Sequence, residues 1–186
     1  MVVTGESVPF VILACHNNPD IFNKIICINP QSLFLQNQIP SRQTGFMKFL
    51  LEIPILGTFA YHVLANRLTL EKTFQKQYFY RIDEIQGKYI ANYLEAAYAG
   101  GYNSKFAFSS YVGKYMSLNI LRELKEINNS ILMIGGEREK DIYITIENYK
   151  YYNPAIEEVY IPNTKHLPQL EAPDEMLEQI KVFLSS

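Results

Sequence analysis

Four short apolar segments that alternate with helical segments constrain the fold of this chain more than any other feature. Residues 25–28 form a continuous apolar run bounded by Asn29 and Pro30, and residues 130–134 are apolar after Ser130 and end at two glycines. Runs this short and this apolar are typical of strands buried on both faces. Strands that alternate with helices form parallel sheets covered by helices on both faces. The sequence therefore predicts an α/β fold with a mostly parallel sheet.

The other segments extend this order of elements. The predicted strands are residues 1–4, 25–28, 130–134 and 155–161. The helices predicted to flank them are residues 9–14, 118–127, 142–152 and 173–184. No strand is predicted in the middle of the chain, where apolar residues recur at helical spacing in residues 43–53, 54–65, 69–80, 84–99 and 104–116. We therefore predict a core domain of residues 1–36 and 118–186, with residues 37–117 inserted as a helical lid.

Composition and charge limit the kinds of partner. The 186 residues are 48% hydrophobic and 19% charged, as in ordinary globular domains. The formal net charge is -2 and the pI about 5.9, so no basic field is present to hold a nucleic acid. No apolar run reaches the roughly 18 residues that a membrane span needs. We therefore predict neither a nucleic-acid partner nor a membrane span.

The cysteines and the start of the chain bear on its compartment and cofactors. Cys15 and Cys27 lie in apolar segments, which predicts buried, reduced thiols and a cytoplasmic location. The first residues lack the charged and apolar regions of a signal peptide. No cluster of His, Cys and Asp has metal-ligand spacing, and Gly135-Gly136 is too short for a phosphate loop. The sequence thus predicts no cofactor.

Reactive side chains follow the predicted strands, at the sheet edge where parallel α/β proteins carry their chemistry. Ser7 follows the first strand within a Gly-Glu-Ser-Val-Pro turn, three acidic residues follow the third strand, and His166 follows the fourth. A hydroxyl, a carboxylate and an imidazole are the set needed to attack an ester carbonyl. A serine on a strand–turn–helix corner is exposed as a nucleophile, and the backbone N–H of Val8 lies beside it as a donor to an oxyanion.

Each role has rivals in the sequence. Among the serines, Ser109, Ser110 and Ser117 lie in helical segments without such a corner. Among the acids, Glu137 and Asp141 flank Glu139 in the same loop. Among the histidines, His16 lies in a turn after the first helix and His62 in the predicted lid, while His166 follows a strand.

Both ends of the chain resemble the α/β-hydrolase family. In residues 161–176 a histidine follows the last strand and precedes a Leu-Glu-x-Pro segment and the final helix, as in these hydrolases. Residues 131–139 are similar to the family's strand and Gly-Glu-x-Asp turn, whose last residue is the catalytic acid. Residues 1–30 resemble its nucleophile strand and helix, followed by a strand that ends in Asn-Pro. The middle of the chain matches only in kind, as the helical lid that the family often carries.

The resemblance implies a serine hydrolase that cleaves a carboxylic ester or a similar acyl bond of a small molecule. It assigns Ser7 as the nucleophile, Glu139 as the acid and His166 as the base, with the N–H of Val8 in the oxyanion hole. Perhydrolase-like or haloperoxidase-like activities would use the same three residues.

Three departures from the family accompany this expectation. Pro9 stands where the family has a second glycine, and the acid is Glu rather than Asp. The family's first half, with its early strands and the loop giving the second oxyanion N–H, has no counterpart here. The first strand is then expected at an open sheet edge, where a homo-oligomer could form. The alternative prediction is a catalytically incomplete, hydrolase-like fragment that acts as a binding or interaction module.

Overall fold

The computed structural model describes residues 1–81, 83 and 87–186, and these divide into two compact units. We call the first the core unit; it contains Met1–Asn37, Tyr78–Arg81 and Leu118–Ser186. We call the second the helical unit; it contains Gln38–Gln77 and Ile82–Ser117. The short segment Tyr78–Arg81 thus belongs to the core unit although the chain on either side of it belongs to the helical unit.

The core unit contains a four-stranded sheet in which every neighbouring pair is parallel. The strands, in the order β1-β2-β3-β4, are Val2–Thr4, Lys24–Ile28, Ser130–Gly136 and Glu157–Ile161. β1 and β4 are the two edges of this sheet as described. The predicted α/β class with a mostly parallel sheet is confirmed.

Helices cover both faces of this sheet. They are α1 (Val8–Asn17), α2 (Leu33–Gln36), α8 (Leu121–Glu126), α9 (Ile142–Tyr152), α10 (Pro168–Glu171) and α11 (Pro173–Ser185). On one face Ile25 and Met133 pack among side chains of α1, α8 and α9. On the other face Ile26 and Leu132 pack against α11. Because β2 and β3 are buried on both sides, their sequences are mostly apolar and do not alternate between apolar and polar residues.

Two elements of the core unit start later in the chain than the sequence predicted. The helix expected over residues 118–127 begins only at Leu121, because the Asn119 side chain accepts the backbone N–H of Leu121. The strand expected over residues 155–161 begins at Glu157, because Asn153 holds the backbone of Ala155 in a turn. In both places a side-chain hydrogen bond to the backbone delays the regular element.

The helical unit contains five α-helices in its described residues. They are α3 (Arg42–Glu52), α4 (Pro54–Leu64), α5 (Arg67–Thr73), α6 (Gly87–Tyr98) and α7 (Ser104–Val112). The helix predicted over residues 69–80 is instead α5 followed by a π-helical turn, Phe74–Tyr78. The predicted start of α6 at residue 84 lies outside the described residues. The helix predicted to reach residue 116 ends at Val112, where Gly113 and the left-handed Lys114 (φ 66°) follow.

No single helix in the described ranges is long and apolar enough to cross a membrane. α3 and α4, bent by 97° at their junction, meet the length and composition criteria only when taken as a pair.

Candidate active site

The three predicted catalytic residues follow β1, β3 and β4 at the same edge of the sheet. Thr4 at the end of β1 pairs with Ile28 of β2, which pairs in turn with Ile134 of β3. Gly136 at the end of β3 pairs with Ile161 at the end of β4. Parallel pairing in this register places the carboxyl ends of the strands level, so the loops with Ser7, Glu139 and His166 emerge together.

His166 and Glu139 lie in contact. The His166 Nδ1 atom is 3.4 Å from the Glu139 Oε1 atom, an ion-pair distance that is long for a hydrogen bond. The side chains are 38% and 22% exposed, so the imidazole is the more open of the two groups to solvent and the carboxylate is the more buried. The other Glu139 oxygen, Oε2, is buried and has no hydrogen-bond partner among the described residues. A carboxylate at Nδ1 leaves Nε2 as the nitrogen that can accept a proton.

The rival acids and histidines have other partners. The Glu137 carboxylate accepts the backbone N–H of Asn163 at 3.1 Å, and Asp141 lies 3.9 Å from Lys140 at the start of α9. His16 lies in the last turn of α1, not in a turn after it, and pairs with Glu126 at 2.7 Å. His62 in the helical unit pairs with the Tyr98 hydroxyl at 2.9 Å. Among these candidates, Glu139 and His166 are the acid and imidazole that meet at the carboxyl edge of the sheet.

Ser7 differs from the predicted nucleophile corner. It is exposed at the end of a 3₁₀ turn, Gly5–Ser7, and its backbone has right-handed helical angles (φ -79°, ψ -15°). In the described part of the chain its hydroxyl makes no hydrogen bond, to His166 or to any other residue. The left-handed Gly5 (φ 51°) lets the chain close into this turn directly after β1.

The predicted oxyanion donor has another hydrogen-bond partner in this conformation. The backbone N–H of Val8 donates to the carbonyl oxygen of Gly5 and closes the 3₁₀ turn. In this conformation the Val8 amide is therefore already used, and it is not free to bind an oxyanion beside Ser7. The strand–turn–helix order is present, but the serine and its following amide do not have the arrangement that the sequence predicted.

Asn29 joins the loop that carries His166 to the end of β3. Its side-chain amide donates to the carbonyl oxygens of Lys165 and His166, both at 2.8 Å. Its side-chain oxygen accepts the backbone N–H of Gly136 at 2.8 Å. Asn29 is 5% exposed and has a left-handed backbone (φ 42°), which Asn tolerates better than most residues. One buried amide thus fixes the distance between the acid loop and the histidine loop.

Glu171 performs a similar task with its carboxylate. Its Oε2 atom accepts the backbone N–H of Lys165 at 2.7 Å, beside His166. Its Oε1 atom accepts the backbone N–H groups of Tyr80 and Arg81 at 2.7 and 3.1 Å. Glu171 is buried, so these three hydrogen bonds offset the cost of removing its charge from water. The segment Tyr78–Arg81 is thereby bound to the histidine loop.

Tyr78 covers one face of the imidazole. Its ring stacks on the His166 imidazole with centroids 4.9 Å apart and planes 21° apart, and its backbone carbonyl oxygen accepts the backbone N–H of His166 at 3.1 Å. Burial, followed by the nearby charges of Glu6 and Glu139, raises the pKa of the Tyr78 hydroxyl. The hydroxyl therefore stays protonated at neutral pH near both carboxylates, one from the Ser7 turn and one from the acid loop.

Sequence reasoning did not assign Asn29, Glu171 or Tyr78 to the site. Asn29 was identified as the end of a strand and Glu171 as part of the Leu-Glu-x-Pro segment, so a signal for both was present. Tyr78 has no local signal, because it lies in a Tyr-rich helical stretch and reaches His166 only through the fold. Within residues 1–81, 83 and 87–186 no group of three or more His, Cys, Asp or Glu residues could hold a metal ion.

Comparison with solved structures identifies the fold. 2-Hydroxy-6-oxo-6-phenylhexa-2,4-dienoate hydrolase from Rhodococcus superposes with a TM-score of 0.70, at 14% identity over 100% of this chain and 63% of that chain. Bromoperoxidase from Bacillus anthracis gives 0.67, at 14% identity over 100% and 66%. A bacterial membrane phospholipase A gives 0.64, at 16% identity over 95% and 53%. The core unit thus has the fold of the α/β-hydrolases.

The likeness to these structures is partial in length and distant in sequence. The chain spans between 53% and 66% of the length of the three structures. No family model matches the sequence, and no curated protein matches it at a significant level. At identities of 14% and 16% the likeness concerns the fold alone.

Proposed function

We propose that the chain carries the catalytic residues of a serine hydrolase that cleaves a carboxylic ester of a small molecule. The observation that carries this proposal is the contact of His166 with Glu139, 3.4 Å apart, at the sheet edge from which Ser7 also emerges. Three of the chemical groups needed for acyl transfer then come from three different strand ends. Solved structures of the same fold include hydrolases and a phospholipase, which supports a reaction of this class.

In the proposed reaction the Ser7 hydroxyl oxygen attacks the ester carbonyl carbon, and His166 Nε2 takes the hydroxyl proton. Glu139 stabilises the imidazolium through Nδ1. The imidazolium then gives the proton to the departing alkoxide, which leaves as an alcohol, and an acyl group remains on Ser7. Water attacks that acyl group with His166 again as the base, and the carboxylic acid is released. We also propose that the helical unit acts as the lid that shapes the acyl site.

This reaction requires the Gly5–Ser7 turn to change conformation. The Ser7 hydroxyl has to approach His166 Nε2, and the Val8 N–H has to leave the Gly5 carbonyl to serve the oxyanion. Catalytic hydrogen bonds are often absent before substrate binds, and Gly5 supplies the backbone freedom for such a change. Opening this turn exchanges a single hydrogen bond, a cost of about 1 kcal/mol.

The alternative is a hydrolase-like module that binds without catalysis. The use of the Val8 N–H by Gly5 and the missing contact of Ser7 favour it, since loss of one oxyanion donor typically lowers turnover about 100- to 1000-fold. In that case the His166 imidazole and the Glu139 carboxylate would serve recognition only. The two proposals differ in whether Ser7 is consumed and regenerated in a reaction.

Hydrolysis of p-nitrophenyl acyl esters by the purified chain tests the proposal. We expect saturable turnover, and the Ser7→Ala variant should lower kcat by about 1000-fold or more because the nucleophile is lost. Ser110→Ala is the matched control, since it removes a hydroxyl from the helical unit and should leave kcat unchanged within about twofold. Equal rates for the wild type and Ser7→Ala would reject Ser7 as the nucleophile, and binding of the ester without turnover would favour the alternative.

A further inference from the structure

The helices α3 and α4 expose an unusual number of large apolar side chains. We define the α3–α4 surface as the exposed side chains of Phe46, Phe49, Leu50, Ile55, Leu56 and Phe59. Ile55 is 81% exposed and Phe59 is 69% exposed. Exposed apolar residues are normal when they are scattered singly, but six within fourteen residues of two joined helices indicate a binding surface.

The opposite faces of the same helices are fixed by packing within the helical unit. Tyr61 is buried, donates from its hydroxyl to the carbonyl oxygen of Ala97, and packs against Tyr98 and Phe108. A Cβ atom added at Gly57 would lie 1.8 Å from the Leu51 carbonyl oxygen, so α4 contacts the end of α3 at its backbone. This contact fixes the orientation of α3 and α4 relative to each other within the helical unit.

A buried lysine fixes the junction of the two helices. Lys105 is 3% exposed, and its Nζ atom lies 3.3 Å from the carbonyl oxygen of Ile53 and 3.1 Å from the Thr58 hydroxyl. Its charge also faces the carbonyl oxygens of Glu52 and Pro54, both at 3.5 Å. A cation at the C-terminal end of α3 stabilises the helix end, so the bend holds a defined angle.

The segment that contains the α3–α4 surface is positive although the protein as a whole is negative. Residues 38–77 contain five Lys and Arg residues and two Glu residues, a net charge of +3 in a chain of net charge -2. α4 itself contains no charged residue, and its only ionisable imidazole is His62. An apolar face within a segment of net positive charge is the combination that binds anionic lipid surfaces.

We propose that the α3–α4 surface docks the protein on an anionic lipid surface. Each of the two helices has 11 residues and is therefore about 16 Å long, half of the roughly 30 Å of a bilayer core. The pair thus lies in the interface instead of crossing the membrane. The proposal does not depend on hydrolase activity.

A second copy of this chain fits the surface less well. A symmetric dimer would place the same positive segment of each copy against the other, so like charges would face each other across the contact. An anionic lipid surface instead pairs that charge with opposite charges while it takes up the apolar side chains. The charge therefore favours lipid over self-association.

Flotation with vesicles of phosphatidylcholine and phosphatidylglycerol in a roughly 2:1 ratio tests the proposal. We expect the wild type to bind, and Ile55→Ser/Phe59→Ser to lower the partition coefficient about 100-fold because two large apolar side chains are lost. Pure phosphatidylcholine vesicles should bind the wild type about tenfold more weakly, because they lack the anionic headgroups. Arg42→Gln/Arg67→Gln should reduce binding to the anionic vesicles and leave binding to phosphatidylcholine unchanged.

The matched control is Phe34→Ser/Ile144→Ser, which removes a phenylalanine and an isoleucine that are 77% and 60% exposed in the core unit. This variant should bind vesicles within about twofold of the wild type. An equal loss in the control would mean that general hydrophobicity, not this surface, drives binding. Absence of vesicle binding by the wild type, or a wild-type dimer that Ile55→Ser/Phe59→Ser converts to a monomer, would overturn the proposal.

Discussion

Replacing His166 with alanine is expected to lower the rate of ester hydrolysis by about 1000-fold or more. The imidazole would be the only base beside Ser7 in the proposed reaction, and the Ser7 hydroxyl is a weak nucleophile while it keeps its proton. The Glu139 carboxylate cannot replace it, because it lies behind the ring at Nδ1. The measurement is kcat for a p-nitrophenyl ester, together with KM, which should change little because a general base acts in the transition state.

The control is His16→Ala, which removes a half-buried histidine that also pairs with a glutamate, at 2.7 Å, but outside the site. It should keep kcat within about twofold of the wild type. Free imidazole added to His166→Ala should restore part of the rate, a result that a purely structural role for His166 would not produce. Full activity of His166→Ala, or an equal loss in His16→Ala, would contradict the assignment.

Asn29→Asp is expected to destabilise the core unit by about 3 kcal/mol. The change keeps size and shape, and both residue types tolerate the left-handed backbone at this position (φ 42°). It removes both N–H donors to Lys165 and His166 and places a carboxylate against their carbonyl oxygens. The free energy of unfolding in urea measures the effect, and the His166 loop should lose protection from hydrogen exchange first.

Asn23→Asp is the matched control, because it makes the same chemical change at an exposed position next to β2. Its free energy of unfolding should differ from that of the wild type by about 0.5 kcal/mol or less. If Asn29→Asp were as stable as Asn23→Asp, the two buried hydrogen bonds from Asn29 would not hold the histidine loop to β3.

The parts of the fold that depend on local pattern could be predicted from the sequence. The strands at residues 25–28 and 130–134 were found because burial on both faces leaves an unbroken apolar run, which a single segment reveals. His166 could be proposed because it follows a strand, whereas Glu139 was preferred over Glu137 and Asp141 through the resemblance to the family's turn. Parallel pairing brings both loops to one edge of the sheet.

The parts that depend on distant contacts could not be predicted. Asn29 binds the backbone of residues more than a hundred positions away, and Tyr78 meets His166 only after the chain returns from the helical unit. The conformation of Ser7 also depends on such detail, since one hydrogen bond from Val8 to Gly5 decides whether the turn is closed. The sequence pattern shows where these residues lie along the chain. The hydrogen bonds and ring contacts between them can be identified only in the folded structure.

Labelling of the intact protein with a fluorophosphonate, followed by mass spectrometry of its peptides, tests most directly whether Ser7 is an activated nucleophile. We predict one phosphonyl group per chain, attached to Ser7, with labelling lost in His166→Ala and after unfolding in urea. Labelling must then be accompanied by opening of the Gly5–Ser7 turn, so that the Ser7 hydroxyl reaches His166. A folded wild-type protein that takes up no label, or takes it up at a serine other than Ser7, would contradict the proposed hydrolase.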